Sequence, residues 1–270
     1  MPKPDSQIIK VAVVGALGKM GREVVKTVCQ DSNATLVAAV DRMGEDQTCR
    51  GAIASFCPDL PIETKLGAAL DREQPNVLVE FTHPGSAAAH AISALQRGVA
   101  TVIGTSGLSG DDVRTLKETC RETGTPCMVV PNFAIGAVLM MKFAQTAAKW
   151  MPYVEVLEIH HEQKADAPSG TAKATAELIA EARREVPDTR TALLKVEGVR
   201  GGVVKDVHVH SMRLPGFVAS QEVIFGAQGE SLKIRHDSID RVSFMGGVRL
   251  CYHGIWGLSG FVMGLDSLLE

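Results

Sequence analysis

The sequence predicts an α/β chain: a doubly wound parallel sheet, then a second, α+β domain built on an open mixed sheet. Three observations carry this. From Ile8 to Trp150, short apolar runs alternate with stretches of helical spacing, the order produced when parallel strands buried on both faces are joined by helices. After Trp150 the strand-like pieces alternate apolar and polar, as in a sheet with one face more exposed. Hydrophobic residues make up 45% but aromatics only 4%, so the core must be built from Val, Ile, Leu, Ala and Met, which favours α/β layers over an aromatic-rich sandwich.

The elements follow in order. "IIKVAVVG" reads as a buried parallel strand, and "KMGREVVKTVCQ" as a helix with Met20, Val24, Val25 and Val28 on one face. "ATLVAAVD" is the next strand, ending on Asp41. Residues 42–75 carry no readable period, because Gly, Pro and Cys interrupt it. Then "NVLVEFT" is a strand, "SAAAHAISALQRG" a helix, "ATVIGTSG" a strand, and "SGDDVRTLKETCRETG" a helix with Ser109 as N-cap and Asp111 and Asp112 in its first turn. "PCMVVPNF" is a strand and "AIGAVLMMKFAQTAAKW" a long apolar helix. In the second part "YVEVLEIHH" is a strand followed by a helix to about Val186, then the strand-like pieces "VVKDVHVHSMR", "SQEVIFGA" and "SLKIRHDS". The tail from Asp240 reads as apolar and helical, and is expected to pack back on the first domain.

Charge and cysteine usage narrow the function. A net charge of -3 gives no bulk attraction to nucleic acid or an anionic membrane, and no apolar run reaches the length of a membrane span. The N-terminal "MPKPDSQ" lacks the pattern of a secretory signal, and the six cysteines form no C-x-x-C pair, so a cytoplasmic protein with reduced thiols is expected.

"VAVVGALGKMG" sets Gly15, Gly18 and Gly21 between the first strand and the first helix. Glycine permits the dihedrals of a tight turn and lets a pyrophosphate approach the backbone, and the helix N-terminus favours an anion. Gly15, Ala16, Leu17, Gly18, Lys19 and Met20 are therefore expected to cradle a dinucleotide in a Rossmann-like sheet. Asp41, at the end of the second strand, suits the adenosine ribose hydroxyls, while Arg42, with help from Lys19, suits a 2′-phosphate. Together they predict use of both NADH and NADPH. In a doubly wound sheet ligands lie beyond the carboxyl ends of the strands. Phe81, Thr82 and His83, then Gly104, Thr105 and Ser106, should therefore face the nicotinamide half, with the stretch from Pro131 to Gly136 (Pro131, Asn132, Phe133 and Ala134 foremost) closing the same cleft.

The stretch "EIHHEQKADAPSGTAKA" crowds ionisable groups into a strand-to-helix junction. If the strand runs straight, His160 and His161 point to opposite faces. Lys164 follows in the loop, Ser169 is a natural N-cap, and the N–H groups of Gly170 and Thr171 offer a site for a carboxylate. Such a set suits a small anion that receives a hydride and a proton. A metal site built with His208 and His210 is the other use of so many imidazoles. No cysteine or carboxylate stands at customary zinc spacing, and no metal is expected.

With "GALGKMG", "EFTHPG", "VIGTSG", "PNFAIG", "EIHHEQKADAPSGTA" and "DRVSF" in this order, the sequence resembles the dihydrodipicolinate reductase family over nearly its whole length. The resemblance implies NADH- or NADPH-dependent reduction of a cyclic dicarboxylate, 4-hydroxy-tetrahydrodipicolinate or dihydrodipicolinate, to tetrahydrodipicolinate on the diaminopimelate route to lysine. It implies His160 as proton donor or acceptor and Lys164 as general acid. It also implies His161, Ser169, Gly170, Thr171 and Arg241 as substrate contacts, and a homotetramer joined through the second sheet. Residues 1–132 and 242–270 would then form the dinucleotide-binding domain, and 133–241 the substrate-binding and oligomerisation domain. His83 stands where some relatives carry arginine, and residues 187–205 receive no role. The rival readings are another two-domain oxidoreductase, which would need an activated cysteine nucleophile if it were a semialdehyde dehydrogenase, or a non-catalytic NAD(P) sensor.

Overall fold

The computed structural model describes residues 8–188 and 193–269. The N-terminal "MPKPDSQ" and residues 189–192, inside the stretch left without a role, lie outside them. The chain divides into two compact units, Met1–Phe133 with Phe244–Glu270, and Ala134–Ser243.

The first unit is built on alternating strands and helices: β1 (Ile9–Val14), α1 (Lys19–Cys29), β2 (Ala34–Val40), α2 (Cys49–Ala52), β3 (Ile62–Glu63), α3 (Leu66–Glu73), β4 (Val77–Glu80), α4 (Pro84–Leu95), β5 (Ala100–Ile103), α5 (Gly110–Thr123) and β6 (Cys127–Val129). Val11, Ala12 and Val13 of β1 and Val77, Leu78 and Val79 of β4 are wholly buried, which is why these strands read as unbroken apolar runs. The α1 helix buries Val24, Val25 and Val28. Ser109 caps α5 in a reciprocal pair with Asp112: the Asp112 N–H donates to the serine hydroxyl and the Ser109 N–H donates to the Asp112 carboxylate.

The second unit comprises α6 (Ile135–Ala148), β7 (Tyr153–His160), α7 (Gly170–Ala182), β8 (Gly202–Val204), β9 (Val207–Arg213), β10 (Ala219–Ala227) and β11 (Glu230–Ser238). Its sheet runs β11-β10-β7-β9-β8 and is mixed: β7 is parallel to β9 and antiparallel to β10. One face is core, where Val154 and Val156 meet Val207, Val209, Val223 and Phe225 beneath Met140 and Ala144 of α6 and Ala172, Ala176 and Ile179 of α7.

Three local expectations are corrected. The α7 helix stops at Ala182, because Arg183 is extended, rather than near Val186. "VVKDVHVHSMR" is a hairpin and not one strand, turned at Lys205 and Asp206 with φ of 48° and 65°. Two positive φ values make a tight hairpin turn whose twist matches the strands. The tail is not wholly helical: after α8 (Met245–Gly254) comes β12 (Phe261–Met263), which pairs with β6. The first sheet is therefore all parallel in the order β12-β6-β5-β4-β1-β2-β3, and its strand order reverses direction between β1 and β4.

The C-terminal segment is fastened within the first unit by Asp31. This wholly buried carboxylate accepts from Tyr252 Oη at 2.6 Å, His253 Nε2 at 2.7 Å and Arg249 Nη2 at 3.1 Å. Among the described residues, no helix is long and apolar enough to cross a membrane.

Candidate active site

In the first unit the glycines of the β1–α1 turn are required by close approaches. Gly15 has φ +83°, and a Cβ there would stand 2.1 Å from the Phe81 carbonyl oxygen; a Cβ on Gly21 would stand 1.9 Å from the Gly15 oxygen. Gly18 caps α1 without a side-chain acceptor, so the positive end of the helix is left for an anion. Ala16 is fully buried and contributes through its main chain, its N–H donating to Val40 O.

Asp41 ties this loop down. Its carboxylate accepts from Leu17 N at 2.9 Å and from Met43 N at 3.0 Å. A cavity of about 590 Å³ opens here, lined by Gly15, Leu17, Gly18, Asp41, Arg42, Phe81 and Thr82 among the expected residues. His83, where some relatives carry arginine, also lines it, as do Met43, Thr64, Leu66, Ser86 and His90, which the sequence does not single out. The cavity begins at the point where the strand order reverses and is of ligand size. Glycine cradle, helix N-terminus and a cavity of this size together fit a dinucleotide.

Of the other expected cofactor residues, Gly104 and Phe133 pack on Phe81. A Cβ on Gly104 would stand 2.1 Å from the Phe81 ring, and the ring of buried Phe133 lies 5.4 Å away, centroid to centroid. Thr105 Oγ1 accepts from Thr82 N at 2.9 Å. Glu80, wholly buried, also accepts from Thr82 N at 2.9 Å and from the Thr82 hydroxyl. This carboxylate at the strand end was not foreseen. Lys19 and Ser106 are exposed, Met20 lies in the first turn of α1, and Asn132 and the exposed Pro131 follow β6. Ala134 is buried at the start of the second unit.

In the second unit the face of β7 that carries Val154 and Val156 continues through Glu158 to His160, because side chains two apart share a face. The neighbouring rows change character at the same level, from Val209 to Ser211 and Arg213 on β9, and from Val223 to Gln221 on β10. Here the core becomes polar. Glu158, with no exposed side-chain surface, accepts two hydrogen bonds from the Arg213 guanidinium, at 2.9 and 3.0 Å, one from Ser169 N at 3.3 Å and one from His160 Nδ1 at 2.5 Å.

Burial pushes the Glu158 carboxyl up, but hydrogen bonds from Arg213, Ser211 and His160 outweigh it and hold it below the usual glutamate range. Burial also lowers the His160 imidazole below its ordinary value; the Glu158 carboxylate works the other way, and the positive charges of Lys164 and Arg213 add to the lowering. Facing an ionised carboxylate, Nδ1 is the nitrogen that carries the hydrogen when the His160 ring is neutral, which leaves the lone pair on Nε2.

His160 is the last residue of β7, and His161 is exposed in the turn that follows. Lys164 Nζ donates to Asp166 at 2.6 Å, and that hydrogen bond lowers the Asp166 carboxyl. Ser169 caps α7, accepting from Ala172 N at 3.2 Å. Gly170 and Thr171 open the helix at the positive end of its dipole, and a Cβ added to Gly170 meets nothing within 4 Å. Arg241 is exposed at the start of the turn Arg241–Phe244. His208 and His210 lie on the opposite face of the sheet, with His210 on Glu155 at 2.7 Å and His208 on the Arg200 carbonyl at 2.8 Å.

An all-parallel sheet in this order, with a glycine cradle and a cavity at its reversal point, defines the dinucleotide-dependent oxidoreductases as the class. The chain matches the sequence profiles described as "Dihydrodipicolinate reductase, N-terminus" over residues 9–133 and "Dihydrodipicolinate reductase, C-terminus" over residues 136–269. It belongs to the dihydrodipicolinate reductase family. It is 45% identical over 267 residues to a 4-hydroxy-tetrahydrodipicolinate reductase of Halalkalibacterium halodurans, covering 97% of this chain and 100% of that one. It is 46% identical to a protein of the same name from Syntrophomonas wolfei, covering 97% and 99%. Among solved structures it is similar to the dipicolinate-bound dihydrodipicolinate reductase from Paenisporosarcina sp. TG-14, with a TM-score of 0.87, 38% identity, and coverage of 97% of this chain and 99% of that one. An amine dehydrogenase from Mycobacterium smegmatis, at 14% identity and a TM-score of 0.69 over 96% and 95% of the two chains, shares the fold alone.

Proposed function

We propose that this chain reduces 4-hydroxy-tetrahydrodipicolinate, or the dihydrodipicolinate left when it loses water, to tetrahydrodipicolinate in the diaminopimelate route to lysine. NADH or NADPH, when bound, supplies a hydride; the protein supplies a proton and the binding of a cyclic dicarboxylate. The overall change consumes one hydride and one proton, and releases water when the hydrated substrate is used.

The residue roles in this reading are those that the family resemblance implies. Residues 1–132 and 242–270 bind the dinucleotide, with Gly15 to Met20 on the pyrophosphate, Asp41 on the ribose and Arg42 toward a 2′-phosphate. Phe81, Thr82, Gly104 to Ser106 and Pro131 to Ala134 are assigned to its nicotinamide half. Residues 133–241 bind the substrate. Lys164 delivers the proton as general acid, and His160, neutral with Nε2 available, accepts or relays one. Ser169, Gly170 and Thr171 take one carboxylate at the start of α7, and His161 and Arg241 complete the substrate contacts. The observation that carries the reading is the His160–Glu158 hydrogen bond beside a lysine and a helix N-terminus, a proton-handling group set next to an anion site.

A cytosolic homotetramer joined through the second sheet is part of this proposal. Its support is the exposure of Tyr153, Val203 and Met212 on the face of that sheet turned away from the helices, and cysteines that are all free thiols. Titration with pyridine-2,6-dicarboxylate, a flat mimic of the substrate, tests the substrate class. Competitive inhibition, weakened in Gly170→Val without a change in the NADH Michaelis constant, is expected. Absence of inhibition in the wild-type protein contradicts the anion site.

A further inference from the structure

We propose that Glu158 and Arg213 form a positioning pair for the reaction: they set which nitrogen of His160 carries the proton and hold the Lys164 turn against the end of β7. This rests on the assignment of His160 and Lys164 as the reacting groups, and extends it to two residues that act through them.

The pair is continuous with both groups. Arg213 grips the Glu158 carboxylate with two nitrogens, and its Nη2 also donates to the Asp166 carbonyl at 2.6 Å. The Asp166 side chain in turn accepts from Lys164 at 2.6 Å. On the other side Glu158 accepts from His160 Nδ1, and the His160 carbonyl accepts from Leu214 N at 2.9 Å. Proton-bearing lysine and proton-accepting histidine thus hang on one ion pair, whose carboxylate is buried and whose guanidinium is partly so. An ionised carboxylate only accepts, so the nitrogen of His160 that faces it must carry the hydrogen, and Nε2 is left with the lone pair.

Stability alone does not account for this arrangement. A buried ion pair costs desolvation, and apolar residues of similar volume are often no worse. The same sheet face shows that alternative two residues away, where Val154, Val156, Val209, Val223 and Phe225 make an ordinary core. The change from apolar to ionic rows falls at the strand end that carries His160.

The charged groups around His160 are Glu158 on its own strand, Arg213 on β9, and Lys164 and Asp166 in the turn. Its partner on β10 is the uncharged Ala219, and the residue capping α7 is the neutral Ser169. Removing the Glu158 charge leaves two cations opposing protonation of the ring.

Two variants test the pair in the full-length protein: Glu158→Gln, and the double change Glu158→Gln with Arg213→Met, which leaves no lone buried charge. Thermal melting establishes that the double variant is folded. Both should lose at least about tenfold in kcat, a modest part of what acid–base catalysis contributes, while the Michaelis constant for NADH is unchanged. The ¹⁵N resonances of the His160 ring should shift from one tautomer to a mixture. The acid limb of kcat/KM should move to lower pH in Glu158→Gln and part of the way back in the double variant. Wild-type kcat, pH profile and ring resonances in a folded double variant would overturn the proposal. A failure of the underlying assignment looks different: His160→Ala itself would retain full turnover, and the positioning role would fall with it.

Discussion

The Cβ that Gly15 lacks would lie 2.1 Å from the main-chain oxygen of Phe81, at a backbone φ of +83°. The end of β1 and the end of β4 are therefore pressed together where a dinucleotide would cross them. Gly15→Ala must move Phe81 and also accept a left-handed φ that costs on the order of 1–3 kcal/mol by itself. Both a lower melting temperature and a loss of NADH binding are expected. Thermal melting and a fluorescence titration with NADH check this; unchanged NADH affinity would remove Gly15 from the cradle.

Lys164 sits in an exposed turn with its ammonium on Asp166, and little of the core depends on it. Lys164→Ala should leave the melting temperature and NADH affinity close to wild type while turnover falls roughly 10²-fold or more. His160→Ala should behave in the same way. Steady-state kinetics beside NADH titration separates the two quantities. Equal turnover in Lys164→Ala would show that the proton comes from elsewhere.

Asp31 gives a prediction about acid stability. Burial pushes its carboxyl up, but hydrogen bonds from Tyr252, His253 and the Asn33 N–H bring it down to about 2 from 3.8. The folded value is the lower one, so the unfolded chain takes up the proton first. The stabilisation, about 2 kcal/mol, is complete above about pH 3.8 and is lost as pH falls through about 2. Asp31→Asn should be less stable than wild type near neutrality, with the difference shrinking across that window. Denaturant unfolding at a series of pH values measures it, and a pH-independent difference would contradict the account.

In the proposed binding mode cofactor choice turns on Asp41 and Arg42, both on the cavity wall. The carboxylate favours a ribose 2′-hydroxyl and repels a 2′-phosphate, while the guanidinium attracts it. Arg42→Ala should therefore harm NADPH more than NADH. A lost charge-assisted hydrogen bond is worth roughly 1.5–3 kcal/mol, or about ten- to a hundredfold in affinity. Because Arg42 is exposed, the NADPH penalty should shrink in high salt. Michaelis constants for both cofactors at two salt concentrations decide it; an equal loss of both would mean that Arg42 reads no phosphate.

Much of this architecture was legible because single residues carried strong local signals. Ser109 with Asp112 announced a helix start, and Gly15, Gly18 and Gly21 announced a turn that only glycine could make. Other features were hidden for physical reasons. The hairpin at Lys205 and Asp206 uses positive φ without glycine or asparagine, so a lone aspartate was the only turn former to mark it. The three-residue β12 has too few residues to show a period among the glycines of the tail. In residues 42–75 the structure is one short helical turn, a two-residue strand and a helix ended by Gln74 at φ 46°, again without glycine.

The candidate site divides in the same way. The turn from His160 to Thr171 was visible because its chemistry is contiguous in sequence. Glu158 opens the same stretch but drew no role, because the guanidinium that pairs its buried carboxylate, that of Arg213, lies 55 positions away. The cavity residues Thr64, Ser86 and His90 were missed because tertiary packing alone brings them to the glycine turn.

The central claim is that a cyclic dicarboxylate is reduced by NADH or NADPH at this site. The most direct test follows the absorbance of NAD(P)H while 4-hydroxy-tetrahydrodipicolinate is generated in the cuvette by its synthase. The account predicts oxidation of one cofactor per substrate, with either NADH or NADPH, absent without the dicarboxylate and greatly reduced in Lys164→Ala. No oxidation above background by the wild-type protein, or the same rate when the dicarboxylate is withheld, would contradict it.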